Sequence, residues 1–403
     1  MADLDARAAA TGTGDRPRPR AALPALCATQ ITSWGIVYYA FPVLNARITA
    51  DTGWSTTATT AAFSAALLVS ALTGVPVGRI LDRRGPRAVM TTGSLIGVVA
   101  VLAIAYAPNL PTFAAAWMLA GVAMAAIFYQ PAFAALTRWW GEQRIRALTI
   151  VTLAGGLAST AFAPLTATLA DHLSWRATYA VLAVLLALIT IPAHAIALRA
   201  PWPPAPPQSA HLSGDSGSVA RSRPFLLLAA ALTLNGFAMY AVVIALVPLL
   251  TERGASPTTA AWALGLGGAG QTLGRTLYTS LARRTAAATR TVTLIALGGA
   301  TTALLAAVPG PAPLLVLLAI AAGMVRGNLT LLQATAVTDR WGATHYGRLS
   351  GLLAAPVTIA GALSPFAGAA LAQELGGYPI LFALLSVTSL IACVLALGSG
   401  GKP

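Results

Sequence analysis

The sequence predicts an all-α membrane protein in which twelve transmembrane helices form two pseudo-symmetric six-helix bundles, with both termini cytoplasmic. The first observation is composition: of 403 residues, 57% are apolar and only 9% are charged, whereas soluble domains carry roughly 25% charged residues. The second is the placement of the arginines between apolar runs, and the third is an internal repeat. The composition already excludes a single water-soluble domain.

Twelve segments are long and apolar enough to span a bilayer, since a spanning helix needs about 20 mostly apolar residues. In chain order they are 23–46, 57–78, 87–107, 112–137, 146–170, 176–199, 224–250, 258–281, 291–308, 312–338, 347–371 and 378–397. Residues 1–22, polar and rich in Arg and Pro, predict a disordered cytoplasmic tail rather than a signal peptide. Residues 200–223, rich in Pro, Ser and Gly, predict a cytoplasmic linker between bundles at 23–199 and 224–397, with a cytoplasmic tail at 398–403.

The charge distribution predicts the orientation. With a cytoplasmic N-terminus, cytoplasmic segments hold twenty of the 25 Lys and Arg residues, and the outside loops hold three. Cytoplasmic loops of membrane proteins are enriched in these residues. The net charge of +14 could suggest binding to nucleic acid, but the basic residues lie in short clusters between long apolar runs. This placement predicts a multi-pass protein of the cell (plasma) membrane, with the lipid bilayer and not nucleic acid as its partner.

The two halves repeat each other with a shift of about 200 residues. The shift superimposes Gly35 and Tyr39 on Gly236 and Tyr240. Other residues that coincide are Gly74, Leu81, Arg83, Trp140, Leu148 and Pro164 with Gly274, Leu281, Arg283, Trp341, Leu349 and Pro365. Such a repeat predicts parallel six-helix halves with a site between them near the bilayer midplane, which is the architecture of one large class of secondary transporters.

The cytoplasmic loop between the second and third spans carries a motif. Its residues Gly78, Asp82, Arg83, Arg84, Gly85 and Arg87 closely resemble the signature loop of the major facilitator superfamily. Residues 138–148, followed by Gly155, Gly156 and Pro164, resemble the monocarboxylate/oxalate-type branch. The resemblance implies the major facilitator fold. An acid at a helix end within reach of several arginines can also latch one rigid body against another, so we expect these loop residues to form a conformational latch.

Two arginines, and no acid, lie deep in the predicted spans. Arg326 lies about 14 residues into the tenth span, close to the midplane, and Arg275 lies in the inner half of the eighth. A charge at mid-membrane costs ~2.5–3.5 kcal/mol on insertion scales. Since no buried carboxylate is at hand, we expect both arginines to face a cavity and bind an anion. The alternative is that helix-end carbonyls hold them or that they reach water.

Neutral polar residues complete the predicted substrate site. Gln271 precedes Arg275 by four residues and projects from the same helix face, and the resemblance to the monocarboxylate branch implies this pairing. The other candidates are Tyr39, Tyr129, Asn235, Tyr240 and Asn328. A tyrosine donates a hydrogen bond without carrying charge, which suits an anion site. Packing between helices is the alternative for each.

The sequence therefore predicts a monomeric secondary active transporter that works by alternating access. Its substrate is a small organic anion, a carboxylate, and a proton or a counter-anion couples to it. The alternatives are an exporter of a drug-like compound, a toxic oxyanion or a metabolite, and a transport-dead sensor or scaffold. No enzyme, cofactor or metal site is predicted, because Cys27 and Cys393 lack metal-ligand spacing and the Gly265-x-Gly267-x-x-Gly270 pattern follows no strand.

Overall fold

The computed structural model describes residues 19–202, 216–341 and 346–399, and the regular elements in these residues are all helical. The prediction of an all-α protein is confirmed. Most of the predicted N-terminal tail, the middle of the predicted linker and the last four residues lie outside the described residues. A short helix, Ser216–Arg221, occupies the end of the predicted linker.

Eight α-helices form the N-terminal half, residues 19–202. They are α1 (Ala22–Trp34), α2 (Ala40–Thr52), α3 (Thr56–Ala105), α4 (Leu110–Ile127), α5 (Tyr129–Trp140), α6 (Arg144–Gly156), α7 (Ala158–His172) and α8 (Trp175–Pro192). Two π-helical segments, Gly35–Tyr39 and Ala193–Ala197, follow α1 and α8. The C-terminal half comprises α9 (Ser216–Arg221), α10 (Arg223–Glu252), α11 (Pro257–Arg284), α12 (Ala287–Ala307), α13 (Ala312–Thr335), α14 (Thr338–Trp341), α15 (Tyr346–Leu375) and α16 (Tyr378–Gly398).

Nine helices within the described part of the chain are long and apolar enough to cross a membrane, so the protein is a multi-pass membrane protein. The nine count α3 once, although Gly85 interrupts it with φ 77° and ψ 170°. They leave out α1 with α2, and α11. Side-chain caps begin many of the helices at short polar turns, because a cap oxygen accepts an otherwise free N–H of the first turn. These caps are Ser55, Asn109, Ser174, Ser222 and Ser256.

Glycines bring α11 and α13 together. A Cβ added at Gly323 would collide with the Gly267 carbonyl, and one at Gly327 would collide with the Gln271 carbonyl. A Cβ at Gly270 would meet the backbone of Ile320. Small residues let membrane helices approach at backbone distance. The glycine pattern at 265–270 therefore serves helix packing, and it fixes the height of Gln271 and Arg275 beside α13.

The two halves meet mainly at one end of the molecule. We call the end that carries the Arg-rich segments 79–87 and 283–290 the basic end, and the other the opposite end. Four hydrogen bonds between described residues join the halves on the side of the opposite end, one of them from Thr258 to Asp171 (2.8 Å). The other three are Thr57 Oγ1 to Gln373 Oε1 (2.8 Å), the Phe366 N–H to Ser64 Oγ (3.0 Å) and Thr160 Oγ1 to the Gly265 carbonyl (2.8 Å).

Toward the basic end the same helices expose large apolar side chains. Leu72 and Val75 on α3 are 75% and 60% exposed, and Leu273 and Leu277 on α11 are 56% and 52% exposed. Nearer the opposite end, Phe63 on α3 and Leu264 on α11 are fully buried. The side chains of α3 are thus more exposed toward the basic end than toward the opposite end.

Polar contacts line the opposite end. Asp171 accepts hydrogen bonds from Arg47 Nη2 (2.6 Å) and from Thr258 Oγ1 of the other half (2.8 Å). Asp51 pairs with Arg176 (2.6 Å). Hydrogen bonds from Trp175 and from Arg176 lower the pKa of the Asp51 carboxyl, so this carboxyl stays charged into the acid range and the pairing persists there.

We expect Gly327→Ala to destabilise the fold, because its methyl group must displace the α11 backbone and overpacking typically costs about 1–3 kcal/mol. Gly351→Ala on α15 is the matched control, since a Cβ there meets no atom within 4 Å and alanine is the better helix former. The thermal melting temperature of the purified protein in detergent measures both. A Gly327→Ala variant that melts with the wild type would contradict the proposed role of this contact.

Candidate functional site

Three helices of the N-terminal half have irregular backbone within their predicted spans. Gly35–Tyr39 is π-helical, Phe128 is extended with ψ −162° between α4 and α5, and Leu157 separates α6 from α7 after Gly155 and Gly156. Irregular backbone at membrane depth is tolerated where protein buries it or where it lines a cavity, and π segments are frequent at functional sites. The apolar runs of the sequence had predicted continuous helices in these spans.

At the break before Tyr129, one glutamine supplies the hydrogen bond that the helix backbone cannot. The carbonyl of Ile127 ends α4, and Pro131, four residues on, has no N–H to offer it. Gln30 Nε2 donates to this carbonyl over 2.7 Å, and Gln30 Oε1 accepts from Trp34 Nε1 over 3.2 Å. This pair of hydrogen bonds joins α1 to the break and fixes where Tyr129 enters the site.

Five predicted site residues come together between the halves. Tyr39, Tyr129 and Tyr240 lie within electrostatic reach of one another, and with Arg275 and Arg326 they form one cluster. Tyr39 and Tyr129 belong to the N-terminal half and the other three to the C-terminal half. The repeat-related pair Tyr39 and Tyr240 thus occupies a shared central position. We call these five residues the central cluster.

Arg275 connects the two halves. It is 8% exposed, and its Nη1 donates to the Thr152 carbonyl on α6. Its guanidinium also lies within electrostatic reach of the Tyr129 side chain. Gly156 gives it room, since a Cβ there would lie 3.1 Å from Arg275 Nη1. A backbone carbonyl therefore holds one nitrogen of the group, while the guanidinium as a whole stays in the central cluster.

Arg326 lies between the central cluster and a cavity in the C-terminal half. The side chain is 7% exposed and lies within electrostatic reach of Tyr38, Tyr39, Tyr240 and Arg275. The cavity has an empty volume of about 360 Å³. Besides Arg326, its polar lining consists of Asn235, Thr301, Thr302 and Ser389. The buried guanidinium of Arg326 therefore shares this cavity with four neutral polar side chains.

The remaining predicted residues have different positions. Asn235 lines the cavity beside Arg326. Asn328 donates from Nδ2 to the Met324 carbonyl of its own helix (2.9 Å), beside Gly274 of α11. Gln271 is buried one turn before Arg275, where its carbonyl contacts Gly327. Asn328 and Gln271 therefore lie at the contact between α11 and α13, which is the packing alternative for these residues.

An aromatic wall that the sequence did not reveal lies beside the central cluster. Trp34 stacks on Phe128 with ring centroids 4.0 Å apart, and it lies 5.3 Å from Tyr129 and 5.4 Å from Tyr38. Phe133 stacks on Tyr129 at 5.0 Å. The sequence feature that could have predicted this wall is the spacing of Trp34 one turn before Tyr38 and Tyr39, which places these rings on neighbouring parts of one helix surface.

The predicted latch has a partner that the loop itself does not contain. Asp82 forms an ion pair with Arg138 at the end of α5. Arg83 and Arg84 are exposed, and Arg87 Nε donates to the Ala195 carbonyl over 2.9 Å. Gly85 lies at the positive-φ kink of α3, and a Cβ at Gly78 would meet open space. From the sequence, the loop arginines themselves were expected to surround Asp82.

The acids that form ion pairs in the described segments are Asp51, Asp82, Asp171 and Asp339. Asp82 lies three residues before the Gly85 kink of α3, and the other three lie near helix ends. No group of three or more His, Cys, Asp or Glu residues among the described positions could hold a metal ion. The central cluster is thus built from cationic and neutral hydrogen-bonding groups, an arrangement that attracts negative charge.

Comparisons with known proteins identify relatives of the whole chain and of its parts. A family model described as Major Facilitator Superfamily matches residues 26–284 and 226–399. Monocarboxylate transporter 13 of Bos taurus is 30% identical over 208 residues, which are 50% of this chain and 47% of that protein. Monocarboxylate transporter 11 of Homo sapiens is 29% identical over 212 residues, 52% of this chain and 43% of that protein. The chain spans about half the length of these relatives.

Solved structures share the fold. The nucleoside transporter NupG, solved as a mutant, superimposes with a TM-score of 0.79 at 13% identity, covering 94% of this chain and 99% of that one. A bacterial homologue of the human lysosomal transporter Spinster, inward-facing and unoccupied, gives a TM-score of 0.75 at 14% identity, covering 95% and 97%. At such identities the likeness concerns the fold alone.

We expect Gln30→Leu to destabilise the protein by about 1–3 kcal/mol, because it leaves the buried carbonyl of Ile127 without its donor. Gln130→Leu is the matched control, since the Gln130 side chain is exposed and the chemical change is the same. The melting temperatures of the two variants in detergent give the comparison. Equal melting temperatures would show that the hydrogen bond to Ile127 does not support the break.

Proposed function

Because the chain belongs to the Major Facilitator Superfamily, a family of transporters and not of enzymes, we propose that it is a secondary active transporter of a small organic anion, a carboxylate. One observation carries the proposal: the buried Arg275 and Arg326 lie within electrostatic reach of partly buried tyrosines of both halves. A guanidinium matches a carboxylate with two parallel hydrogen bonds, and tyrosine hydroxyls add donors. The names of the monocarboxylate transporter relatives support the same class of substrate.

The electrostatics of the central cluster favour a bound anion. Arg275 and Arg326 lie within reach of each other's charge, and two cations in a poorly solvated site repel. A carboxylate between the two guanidinium groups attracts both, and these attractions offset the repulsion. A monocarboxylate needs only Arg275, with Arg326 setting the potential, whereas a dicarboxylate engages both.

The mechanism is alternating access, in which the two halves rock about the central site. In this mechanism the cleft opens toward the basic end, while the hydrogen bonds at Ser64, Thr57 and Thr160 hold the opposite end together. Arg275 bonds the Thr152 carbonyl of the other half. A carboxylate that takes over this hydrogen bond alters the contact between the halves, which links binding to movement.

In the proposed topology a monomeric chain crosses the cell (plasma) membrane twelve times. The nine apolar helices supply nine crossings, the second arm of α3 beyond Gly85 supplies another, and α1 with α2 and α11 supply the last two. The bundles are 23–199 and 224–397, joined by residues 200–223. The basic end and both termini are cytoplasmic, because positive loops stay inside.

Coupling follows from the chemistry of the central cluster, which consists of Tyr and Arg side chains. These groups do not exchange protons near neutral pH. The substrate therefore moves in exchange for a counter-anion or together with a proton that the anion itself carries.

We expect Arg275→Gln to weaken carboxylate binding by about thirtyfold or more, since removing the partner of a buried charge typically costs ~2–5 kcal/mol. Arg275→Lys should recover only part of the loss, because lysine keeps the charge without the planar fork. Arg326→Gln should weaken dicarboxylates more than monocarboxylates. Binding of a panel of mono- and dicarboxylates to the purified variants measures this.

Arg283→Gln, an exposed arginine at the basic end of the same helix, is the matched control and should bind like the wild type. The melting temperature in detergent shows that each variant is folded, and transport in proteoliposomes measures its activity. If Arg275→Gln and Arg326→Gln both bind and transport carboxylates normally, the anion proposal is wrong. An exporter of a drug-like compound, an oxyanion or a metabolite then takes its place.

Single cysteines in a background without Cys27 and Cys393 test the topology. Positions in 79–87 or 283–290 should react with a membrane-impermeant thiol reagent only from the cytoplasm, and positions in 51–54 or 171–174 only from outside. The measurement is labelling of intact cells against inverted vesicles. The reverse pattern would refute the charge argument for orientation.

A further inference from the structure

The first residues of the linker between the halves are fastened to the Asp82 loop. Trp202 Nε1 donates to the Asp82 carbonyl over 3.1 Å, and Trp139 Nε1 donates to the Pro201 carbonyl over 3.1 Å. The rings of Trp139 and Trp202 are perpendicular, with centroids 5.9 Å apart. The indole also lies against the kink of α3, where a Cβ at Gly85 would be 3.2 Å from Trp202 Cγ. The linker therefore begins as a docked segment.

Trp202 covers the ion pair of the predicted latch. Arg138 pairs with Asp82, and its Cζ lies 4.3 Å from the centroid of the Trp202 ring. The Arg138 side chain is only 12% exposed, whereas that of Asp82 is 60% exposed. An ion pair in water contributes little, but an aromatic face over the guanidinium adds attraction and excludes water from one side of it. The indole thus holds Arg138 in place on Asp82.

A second ion pair with a tryptophan over its arginine lies at the opposite end, and it differs from the Asp82 pair in where its tryptophan lies. Arg176 pairs with Asp51 and lies 4.1 Å from the ring centroid of Trp175, whose Nε1 donates to the same carboxylate over 2.9 Å. Those three residues belong to α2 and α8, which are both packed inside the N-terminal half. Trp202 instead lies after the last helical segment of the N-terminal half, in the stretch of sequence that leads to the C-terminal half.

We propose that Trp202 is a positioning residue for the latch. It keeps Asp82 paired with Arg138 while the cleft is open toward the basic end, which withholds the carboxylate from the other half. This inference rests on the alternating-access function proposed above. Removing the indole frees Asp82 and shifts the protein toward the form closed at the basic end, since an equilibrium moves by the difference in energy between its states.

Nitroxide labels on Val75 of α3 and Leu352 of α15, which are 60% and 47% exposed, report the opening. Pulsed electron–electron distances in lipid nanodiscs give the ratio of open to closed molecules. Trp202→Ala should lower this ratio roughly threefold to tenfold, the range of a partly covered cation–π contact. Trp202→Phe, which keeps a ring over Arg138 but loses the indole N–H, should lower it less. Trp262→Ala, a 49% exposed tryptophan on α11, is the control and should leave it unchanged.

The Asp82→Asn background separates a latch role from general support of the fold. If Trp202 acts through the ion pair, Trp202→Ala has no further effect on the ratio once Asp82 is neutral. A shift of the same size in that background, or no shift in the wild-type background, overturns the inference. Asp82→Asn should itself change the ratio and slow transport with little loss of substrate affinity. If Asp82→Asn changes neither, the latch predicted from the loop motif fails as well, while the anion proposal is tested separately by the arginine variants. If Asp82→Asn changes both while Trp202→Ala does nothing, only the inference fails.

Discussion

A guanidinium inside a bilayer has no bulk water to solvate it, and the centre of this protein is organised by that constraint. Arg275 meets it by donating to the Thr152 carbonyl of the other half, with the Tyr129 side chain within electrostatic reach. Arg326 meets it between the central cluster and a cavity in its own half that several neutral polar side chains help to line. Because the groups that solvate Arg275 belong to the N-terminal half, the charge that makes the site is also part of the contact between the halves.

The two halves support this contact with different kinds of packing. In the C-terminal half, glycines on α11 and α13 bring backbone against backbone and set the height of Arg275 and Gln271. In the N-terminal half, large rings fill the core, with Phe41 stacked on Phe63 at 4.5 Å and Trp117 edge-on to both. Broken backbone at Phe128 and at Leu157 then delivers Tyr129 and room for the guanidinium. Rigid packing and local irregularity together create a site on otherwise regular helices.

In contrast to the centre, the two ends of the molecule carry acidic residues, several of which are paired with arginines. Acids that would be costly at mid-membrane pair with arginines at helix ends, as Asp171 does with Arg47 and Asp339 with Arg290. Asp171 also reaches Thr258 of the other half, and Asp82 lies under the docked start of the linker. Positive charge at the centre marks the proposed binding region, whereas several acids near the two ends are paired with arginines.

Much of the fold could be predicted from the sequence because a membrane-spanning helix requires a continuous apolar segment of about 20 residues, which can be recognised without any tertiary contact. Apolar runs, the arginine loops and the repeat predicted the helical segments and the division into halves, and the loop motif indicated the superfamily, which the comparison confirms. The absence of deep acids in the sequence also singled out Arg275 and Arg326, and the repeat singled out Tyr39 with Tyr240. These inferences need only composition and spacing along one helix.

Contacts between distant segments could be decided only by the tertiary structure. Thr152 as the partner of Arg275, Gln30 as the donor to Ile127, and Arg138 with Trp202 around Asp82 join residues 56 to 123 positions apart. Asn328 and Gln271 were predicted as site residues from their polar side chains, and only the structure shows that both lie beside the close contact of α11 with α13. A polar group in a membrane must find a partner inside the protein, but which partner it finds depends on how the helices are rotated and broken, and helical periodicity alone does not encode that.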